Sequence, residues 1–569
     1  MEKLAEGLVY IKKMRPGHLT PKEQHELMNV TELLIYLSEQ QKQKIADLED
    51  LVNELQGEQG KPEIAAKNQK EEQSNKSHSS EKERSTKKKP RKAKKRKFEG
   101  KTPKVEIVDI SSDIELPSDA VFSTYRTSHY YDFQIVSSLI ELRRKVYYSA
   151  STGKYYTADF PSNYPKGKDY TYTLQEAAYR LKYKYGMSLE TILDLFQSSG
   201  IEITSGTLSN MLLSIGEELS KERAEIHQSG IVNGLYTASD TTLDRYKGEN
   251  HHAHIFCNQW FTTYYTRATK DRQTIIDLLR CEKDRRYLLN NEGLELCRTL
   301  GSSKKAVRLL EGNTFEEAMT SVEFAAFLNV HLSSLSEKAF QSCQKRIYEA
   351  AYLAAYYQEN NQQDSQEDSQ EDSQEDSLGV FLSDNAPQYN LVTKVTALCW
   401  IHAGRHFKKL NPTIAFYQKQ LKDFLFQFWM YYDWLLAYKE APTPELKKQL
   451  DEAFEVLFAI QTDYDLLNDR IEKTKALKNK LLVVLDYPDL PLHNNGAELA
   501  ARRQVRYRDI SFQTRSEKGR NAKNIALSIY QTCKKLGVDA TQYILDRLTK
   551  KNEMTSLADL IYQKANLAV

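Results

Sequence analysis

A long run of positive charge between Lys61 and Lys104 divides the chain. The run holds 17 Lys and Arg residues against six Asp and Glu. A segment of this composition buries too little apolar surface to offset the entropy of ordering, so we expect it to be disordered. The 569-residue chain therefore has to fold as separate units on either side of the run, and it cannot be one small module.

The positive charge is densest at residues 87–97, where nine of eleven residues are Lys or Arg. Such a cluster can displace counterions from a phosphate backbone, which gives DNA affinity without sequence preference. The alternative is a solvated linker without a partner. The candidate DNA contacts are Lys87, Lys88, Lys89, Arg91, Lys92, Lys94, Lys95, Arg96 and Lys97.

A second charged segment, Glu359 to Asp376, has the opposite sign, with eight acids and no base. It consists of Gln-Asp-Ser followed by three Gln-Glu-Asp-Ser repeats. We expect this segment to be disordered as well. It is either an inert insertion or a DNA mimic that occupies a basic groove.

The overall composition excludes a membrane protein. Hydrophobic residues make up 40% and charged residues 28% of the chain, and no window approaches the ~18 apolar residues of a membrane span. The acidic start of the chain is unlike a secretory signal. The six cysteines include no Cys-x-x-Cys pair, which favours free thiols in a reducing compartment. These features indicate an intracellular protein.

Residues 1–56 read as a helix whose apolar positions alternate at spacings of three and four. This spacing is typical of a short coiled coil that pairs two chains. An amphipathic helix packed on its own chain would give the same pattern. The seam consists of Leu34, Leu37, Gln41, Lys44, Leu48, Leu51 and Leu55.

Two short helices are predicted across a turn that contains Gly200. Ser188 can cap the first helix and Thr204 precedes the second. In a helix-turn-helix the second helix enters the major groove of DNA, although any helical hairpin gives this pattern. The side chains that would reach bases or phosphates are Thr204, Ser205, Thr207, Ser209 and Asn210.

Three acids occur at the ends of, or within, patterned elements. Asp240 follows a predicted strand at 231–239, and two more strand-like runs and a helix come after it. Asp384 follows a short apolar strand at 379–383. Glu498 lies on a later helix that Asn494 or Asn495 can cap. This order is typical of a ribonuclease-H-like core, but surface acids that end strands by chance are the alternative.

Three carboxylates on separate elements suit phosphodiester chemistry. Two Mg²⁺ ions about 3.5 to 4 Å apart can stabilise both the attacking and the leaving oxygen. Such hard cations prefer carboxylate oxygens. If Asp240 and Asp384 lie on neighbouring strands, one of them can bridge the two metals, and Glu498 closes the site.

Several blocks of sequence resemble one family. Residues 399–407, Cys-Trp-Ile-His-Ala-Gly-Arg-His-Phe, are similar to the Cys-Trp-x-His-Ala-x-Arg-x-Phe signature of the insertion-sequence sixty-six transposases, the TnpC group of bacterial DDE enzymes. Residues 494–498, with Arg502 after them, resemble the family's Asn-Asn-x-Ala-Glu-Arg block. Asp240-Thr241-Thr242 falls where the family has Asp-Glu-Thr. The family's cysteine-pair zinc motif is missing, so no zinc is expected.

The resemblance implies a multidomain, mainly α protein with an α/β, ribonuclease-H-like catalytic domain. Its catalytic and metal-binding triad would be Asp240, Asp384 and Glu498, with two Mg²⁺ or Mn²⁺ ions per site. The family cleaves the ends of its element and joins the freed 3′-hydroxyl to target DNA. His402, Arg405 and Asn495 would lie just behind the triad. The cations that would line the DNA are Arg502, Arg503, Arg506, Arg508, Arg515, Lys518, Arg520 and Lys523.

The same resemblance sets the expected organisation and partners. Double-stranded DNA, a second copy of the chain and accessory proteins of the same element are the expected partners, in a bacterial cytoplasm at the nucleoid. A retired transposase that acts as a DNA-binding regulator is the alternative. We expect a coiled coil at 1–56, a basic linker at 57–104, a small β-rich segment at 105–170, a helix-turn-helix region at 171–228, the catalytic domain at 229–535 with helical insertions at 281–377 (acidic repeat 359–377) and 413–487, and C-terminal helices at 536–569.

Overall fold

The computed structural model describes residues 20–55, 107, 137–367 and 379–567. The dense basic cluster at 87–97 and the end of the acidic repeat, 368–377, lie outside the described residues. The described chain is mainly helical, with one mixed sheet of five strands and a separate two-stranded hairpin. Across the ranges described, we find no helix that combines the length and the apolar content needed to cross a bilayer.

The helices and the hairpin before the large sheet follow local signals in the sequence. The two predicted helices around Gly200 are present, and Ser188 and Thr204 cap them by accepting hydrogen bonds from the N–H groups three residues later. Gly200 supplies the positive φ of +82° in the turn. The elements are α1 (Pro21–Leu55), β1 (Val146–Ser149), β2 (Lys154–Thr157), α2 (Tyr172–Tyr183), α3 (Leu189–Ser198), α4 (Ser205–Glu218) and α5 (Ser220–Val232).

The large sheet has the strand order β5-β4-β3-β6-β7. The first three strands form an antiparallel meander, and β6 and β7 add in parallel to β3. Helix α6 (Arg272–Leu279) follows the meander, so the predicted order of three strands, a helix and a further strand is confirmed. The strands are β3 (Tyr236–Tyr246), β4 (Glu249–Cys257), β5 (Thr262–Arg267), β6 (Val380–Ser383) and β7 (Thr396–Leu398).

The predicted boundaries of β3 are wrong at both ends. Ile231 belongs to α5, and the strand continues past Asp240 to Tyr246. A short apolar run does not distinguish a buried strand from a buried helix, and here the run crosses from one into the other. Asp240 therefore lies inside a long strand. Its neighbour β6 pairs only with residues 236–238, so the edge of β3 beyond them is not covered by β6.

Helices pack on both faces of the sheet, and the alternation of side chains assigns each residue to a face. On one face Ile255 and Tyr264 pack against Ala500 and Ala501 of a late helix. On the other face the adjacent Phe256 belongs to the largest core of the protein. The core thus has two layers of helix around one sheet.

Helices α7 (Asn291–Thr299), α8 (Lys304–Leu310), α9 (Ser321–His331) and α10 (Glu337–Glu367) lie between α6 and β6. The prediction that the acidic repeat is disordered from Glu359 onward is wrong for residues 359–367, which continue α10. Arg280 holds this part of the helix with hydrogen bonds of 2.6 and 3.0 Å to the Glu359 carboxylate. Glutamate and glutamine also favour helix, so the repeat extends a helix that packing has already formed.

Five helices after β7 build a second core: α11 (Trp400–Lys408), α12 (Ala415–Glu440), α13 (Pro444–Leu457), α14 (Asp465–Lys475) and α15 (Lys478–Leu481). Trp400 is fully buried there, and its indole N–H donates to the Leu481 carbonyl at 2.9 Å. Gly404 lets α11 approach α12, because a Cβ at this position would lie 2.5 Å from the Trp429 ring. This packing fixes α11 on the helices that follow it.

The first half of α1 packs on the same helices. Glu32 is buried, and its carboxylate accepts hydrogen bonds from the N–H groups of Thr413 and Ile414 at 2.9 and 2.7 Å, just before α12. A carboxylate at this position stabilises the start of a helix. Of the predicted seam, Leu34 and Leu37 are half-buried and Gln41 and Lys44 are exposed.

The chain ends with α16 (Asn495–Ser511), α17 (Glu517–Leu536), α18 (Ala540–Leu548) and α19 (Leu557–Asn566). Helix α16 packs across β3 and β4, and α17 packs along β5. The prediction that Lys523 lines the DNA is wrong. Its ammonium is buried 2.5 Å from the Asp244 carboxylate of β3, which also accepts a hydrogen bond from Thr266. Lys523 therefore links α17 to the sheet.

We expect Lys523→Met to destabilise the protein by ~3–5 kcal/mol, because it leaves the Asp244 charge buried without its partner. The double variant Asp244→Asn/Lys523→Met should recover much of this loss, since neither charge remains. Urea unfolding followed by circular dichroism measures both effects. Unchanged stability in Lys523→Met would contradict the structural role of this ion pair.

We expect Gly404→Ala to lower stability by ~1–3 kcal/mol, because the new methyl group would overlap the Trp429 ring. Gly206→Ala is the matched control. It also lies in a helix, but its Cβ would meet nothing closer than 4.0 Å, so the variant should be neutral or stabilised by up to ~1 kcal/mol. Equal unfolding midpoints for the two variants would show that α11 is not in tight contact with α12.

Candidate active site

Parallel pairing brings Asp240 and Asp384 to the same edge of the sheet. Ala238 of β3 pairs with Leu382 of β6, and each acid lies two residues after its member of this pair. Side chains two residues apart in a strand point to the same side. Asp240 also pairs with Ile255, which packs against α16. Both acids therefore lie on the α16 side of the sheet.

Backbone geometry holds Asp384 where β6 ends. Its carboxylate accepts a hydrogen bond from the Ala386 N–H at 3.1 Å, and Asn385 between them has a positive φ of 70°. Asparagine tolerates this conformation better than most residues. The turn stops the strand, and it leaves the acid half-buried at the sheet edge.

Asn494 connects the third acid to the other two. The sequence suggests that Asn494 or Asn495 caps α16 with its side chain, but no side-chain cap is made. Instead the Asn494 amide donates to the Ser239 carbonyl at 2.8 Å, next to Asp240. Its backbone N–H points to the Cys399 Sγ at 3.3 Å. One buried residue thus ties the start of α16, which carries Glu498, to β3 and to the start of α11.

The pKa of Asp240 reflects the two other acids near it. Burial is the largest cause that raises the pKa of Asp240 to about 7; the carboxylates of Asp384 and Glu498 contribute in the same direction, and the Thr241 N–H opposes them. That N–H donates to the Asp240 carboxylate at 2.8 Å. Asp384 and Glu498 therefore lie close enough to Asp240 to disfavour its negative charge.

Glu498 is in contact with the basic side chains of α11. The two terminal nitrogens of Arg405 lie 3.4 Å from the two Glu498 oxygens, and His402 Nδ1 lies 3.6 Å from Oε1. Burial lowers the pKa of His402, while the nearby Glu498 acts in the opposite direction. These contacts place His402 and Arg405 next to Glu498. Asn495 is buried at the start of α16.

Two sets of donors around Glu498 could hold a metal ion. In the portion of the chain that the structure describes, one group of three has ligand atoms within 4.8 Å of one another, namely Cys399, His402 and Glu498. The three acids do not reach that spacing. Their oxygens nevertheless suit Mg²⁺ or Mn²⁺ better than a thiol does, and a cation would offset the burial and the neighbouring charges that raise the pKa of Asp240. The carboxylate oxygens are therefore of the type that could bind a hard divalent cation.

The two faces of α11 explain the pattern of its motif. Trp400, Gly404 and Phe407 fall on one side of the helix and pack into the second core. His402 and Arg405 fall on the other side and meet Glu498. The second core therefore determines where these two side chains lie relative to the acid.

The predicted DNA contacts on α4 are separate from the acids. Thr204, Ser205, Thr207 and Asn210 are exposed, whereas Ser209 is half-buried. The C-terminal part of α4 packs on α17, where a Cβ at Gly216 would lie 2.5 Å from Ala522. The packing of its C-terminal part thus fixes α4 in place, and the exposed residues lie near its N-terminus.

The predicted cations on α16 and beyond fall into two groups. Arg503 donates to the Tyr183 carbonyl at 3.0 Å, and Arg508 donates to the Leu243 carbonyl at 2.6 Å. Arg520 lies 3.1 Å from Glu517 and over the Tyr246 ring. These three arginines contact the protein. The exposed members are Arg502, Arg506, Arg515 and Lys518.

Two contacts at the site were not expected from the sequence. Thr241 donates to or accepts from the Tyr389 hydroxyl at 2.8 Å, which joins β3 to the turn after β6. The bond from Asn494 to Ser239 spans 255 residues of sequence. The paired asparagines at 494 and 495 are the sequence feature that could have indicated the second contact, but they indicate a helix cap equally well.

Residues 341–522 match the family model described as "Transposase IS66 family". The chain is also 27% identical, over 341 residues, to a protein of Sinorhizobium fredii (strain NBRC 101917 / NGR234) named "Uncharacterized protein y4jO". That alignment covers 59% of this chain and 99% of the relative. No solved structure matches the chain.

The matched segment contains both motifs on which the resemblance depends, residues 399–407 and 494–498. It also contains Asp384 and Glu498, and Asp240 lies before it. The resemblance indicated by the motifs is confirmed, and residues 341–522 belong to the IS66 family of transposases.

Proposed function

We propose that the protein is a DNA transposase that cleaves element ends and joins them to target DNA at a site formed by Asp240, Asp384 and Glu498. One observation carries the proposal. Asp240 of β3 and Asp384, directly after β6, each lie two residues beyond a pair of residues on parallel strands. They lie on the side of the sheet against which the helix with the third acid packs, within a chain that contains an IS66-family domain.

Each residue has a distinct task in this proposal. Asp240, Asp384 and Glu498 would hold two Mg²⁺ or Mn²⁺ ions, which supply charge stabilisation for the attacking and leaving oxygens. Arg405 would neutralise Glu498 before the cations bind, because its guanidinium already faces both carboxylate oxygens. His402 would limit the movement of Glu498, and Asn494 would keep α16 next to β3.

The proposed catalytic core is ribonuclease-H-like. The support is the sheet itself, with an antiparallel meander, two parallel strands added beside β3, and helices on both faces. The helices between α6 and β6, and those between α11 and α16, would then be insertions into this core. Within the described parts of the chain, they would add eight helices without interrupting the order of strands in the sheet.

Sequence recognition would belong to α3 and α4 as a helix-turn-helix. The capped start of α4 presents Thr204, Ser205, Thr207 and Asn210 to solvent, and the N-terminal residues of a recognition helix are those that reach base edges. Ser209 is half-buried and would contribute less. The basic cluster at 87–97 would add affinity for any DNA sequence.

Pairing of two chains would use the second half of α1. The first half packs on its own chain through Glu32. For this part of the helix, packing within one chain is therefore favoured over a coiled coil between two chains. Beyond Leu37 the seam would remain available for a coiled coil. The helix would then link the pairing of two chains to the insertion that positions Arg405.

The three carboxylates test the proposal most directly. Asp240→Asn, Asp384→Asn and Glu498→Gln should each reduce Mg²⁺-dependent cleavage and strand transfer by ~10³-fold or more, because each removes a charged metal ligand. DNA affinity measured in EDTA should change little. The assay uses the full chain and oligonucleotides that carry the element end.

Glu452→Gln is the matched control, since Glu452 is an exposed acid on α13 and should keep full activity. Normal cleavage in any of the three variants would contradict the triad. DNA binding without Mg²⁺-dependent cleavage in the unaltered protein would favour a retired transposase that acts as a DNA-binding regulator. Cleavage without joining would identify a nuclease.

A further inference from the structure

An open cleft of about 800 Å³ lies beside α16. The end of α2, the outer side of α16, α17 and the start of α18 form its walls. Six cations line it, against the single carboxylate of Asp539 among the described residues. The cations are Arg180, Lys184, Arg502, Arg503, Arg506 and Lys534.

Some of these charges are already used within the protein. Arg503 donates to the Tyr183 carbonyl and so holds the end of α2 against α16. Arg180 lies 3.4 Å from the buried Glu176. Asp539 caps α18 by accepting hydrogen bonds from the Thr541 and Gln542 N–H groups at 2.8 and 3.2 Å. These contacts fix the walls of the cleft. The Asp539 carboxylate, the one acid among the described residues of its lining, is bound by backbone N–H groups.

Four of these cations are exposed to an incoming ligand, and they come from three elements. Arg502 and Arg506 lie on α16, Lys184 directly follows α2, and Lys534 lies on α17. Positive charge spread over several elements is suited to an extended polyanion, whereas a small anion would need converging donors.

The position of the arginines connects the cleft to the acids. Glu498, Arg502 and Arg506 follow one another at intervals of four residues along one side of α16, so each step advances ~6 Å. A DNA strand whose reacting phosphate lies at Glu498 would pass Arg502 and Arg506 as it leaves the site. Lys184 and Lys534 of the same cleft add two cations that the family motifs do not include.

We infer that this cleft binds the sugar–phosphate backbone of double-stranded DNA as it leaves the proposed active site, and that Lys184 and Lys534 contact phosphates together with Arg502 and Arg506. This inference rests on the proposed function. The contacts are to phosphates, so they add affinity and fix the path of the DNA without reading its sequence.

The test measures DNA affinity in EDTA between 50 and 200 mM salt, by fluorescence anisotropy with the full chain and two unrelated duplexes. For Lys184→Gln/Lys534→Gln we expect weaker binding to both duplexes, and a slope of log K against log salt that is smaller in magnitude by about 2, or about 1 per lysine. The control is Lys419→Gln/Lys448→Gln, which removes two exposed lysines from the insertion helices and should leave the slope unchanged.

The outcomes separate the two proposals. An unaltered slope in the cleft variant, with normal Mg²⁺-dependent cleavage by the parent protein, would overturn the cleft and leave the proposed function standing. Weaker binding to one duplex only would also overturn it, because backbone contacts act on every sequence. If the parent protein neither binds nor cleaves DNA, both proposals fail. Because both lysines are exposed, a circular dichroism melt should confirm that the variant folds.

Discussion

The parallel pairing of β3 with β6 is the constraint on which the rest of the site depends. It joins two short segments that are far apart in the sequence, and it sets Asp240 level with Asp384. Because β6 ends at Ser383 while β3 continues to Tyr246, both acids lie where the pairing of the two strands ends. A shift of the register by one residue would turn one of these acids to the other face of the sheet.

The helices after the sheet complete the pocket by long-range contacts. Asn494 and Cys399 join the starts of α16 and α11 to the strands, and the buried pair of Lys523 and Asp244 holds α17 against β3. The second core fixes α11, which brings Arg405 to Glu498. Packing remote from the three acids thus determines the positions of Glu498 and of Arg405 beside it.

The features that the sequence predicted correctly are those with a local cause. Ser188 and Thr204 cap their helices through neighbouring N–H groups, and the apolar run before Asp384 is a strand. Features with a distant cause were missed. In the sequence, Lys523 is one more cation on a basic helix, and only the fold places it beside Asp244. The acidic repeat has the composition of a disordered segment, and only the fold brings Arg280 to Glu359. The buried run at 231–239 has no periodicity that separates the end of α5 from the start of β3.

If Asp240, Asp384 and Glu498 share two divalent cations, anomalous scattering from a crystal soaked in Mn²⁺ should locate both ions. We expect two peaks about 3.5 to 4 Å apart, bound by the three carboxylates, with Arg405 displaced from Glu498. A single peak bound by Cys399, His402 and Glu498, or no peak near Asp240, would mean that the three acids do not form the metal site.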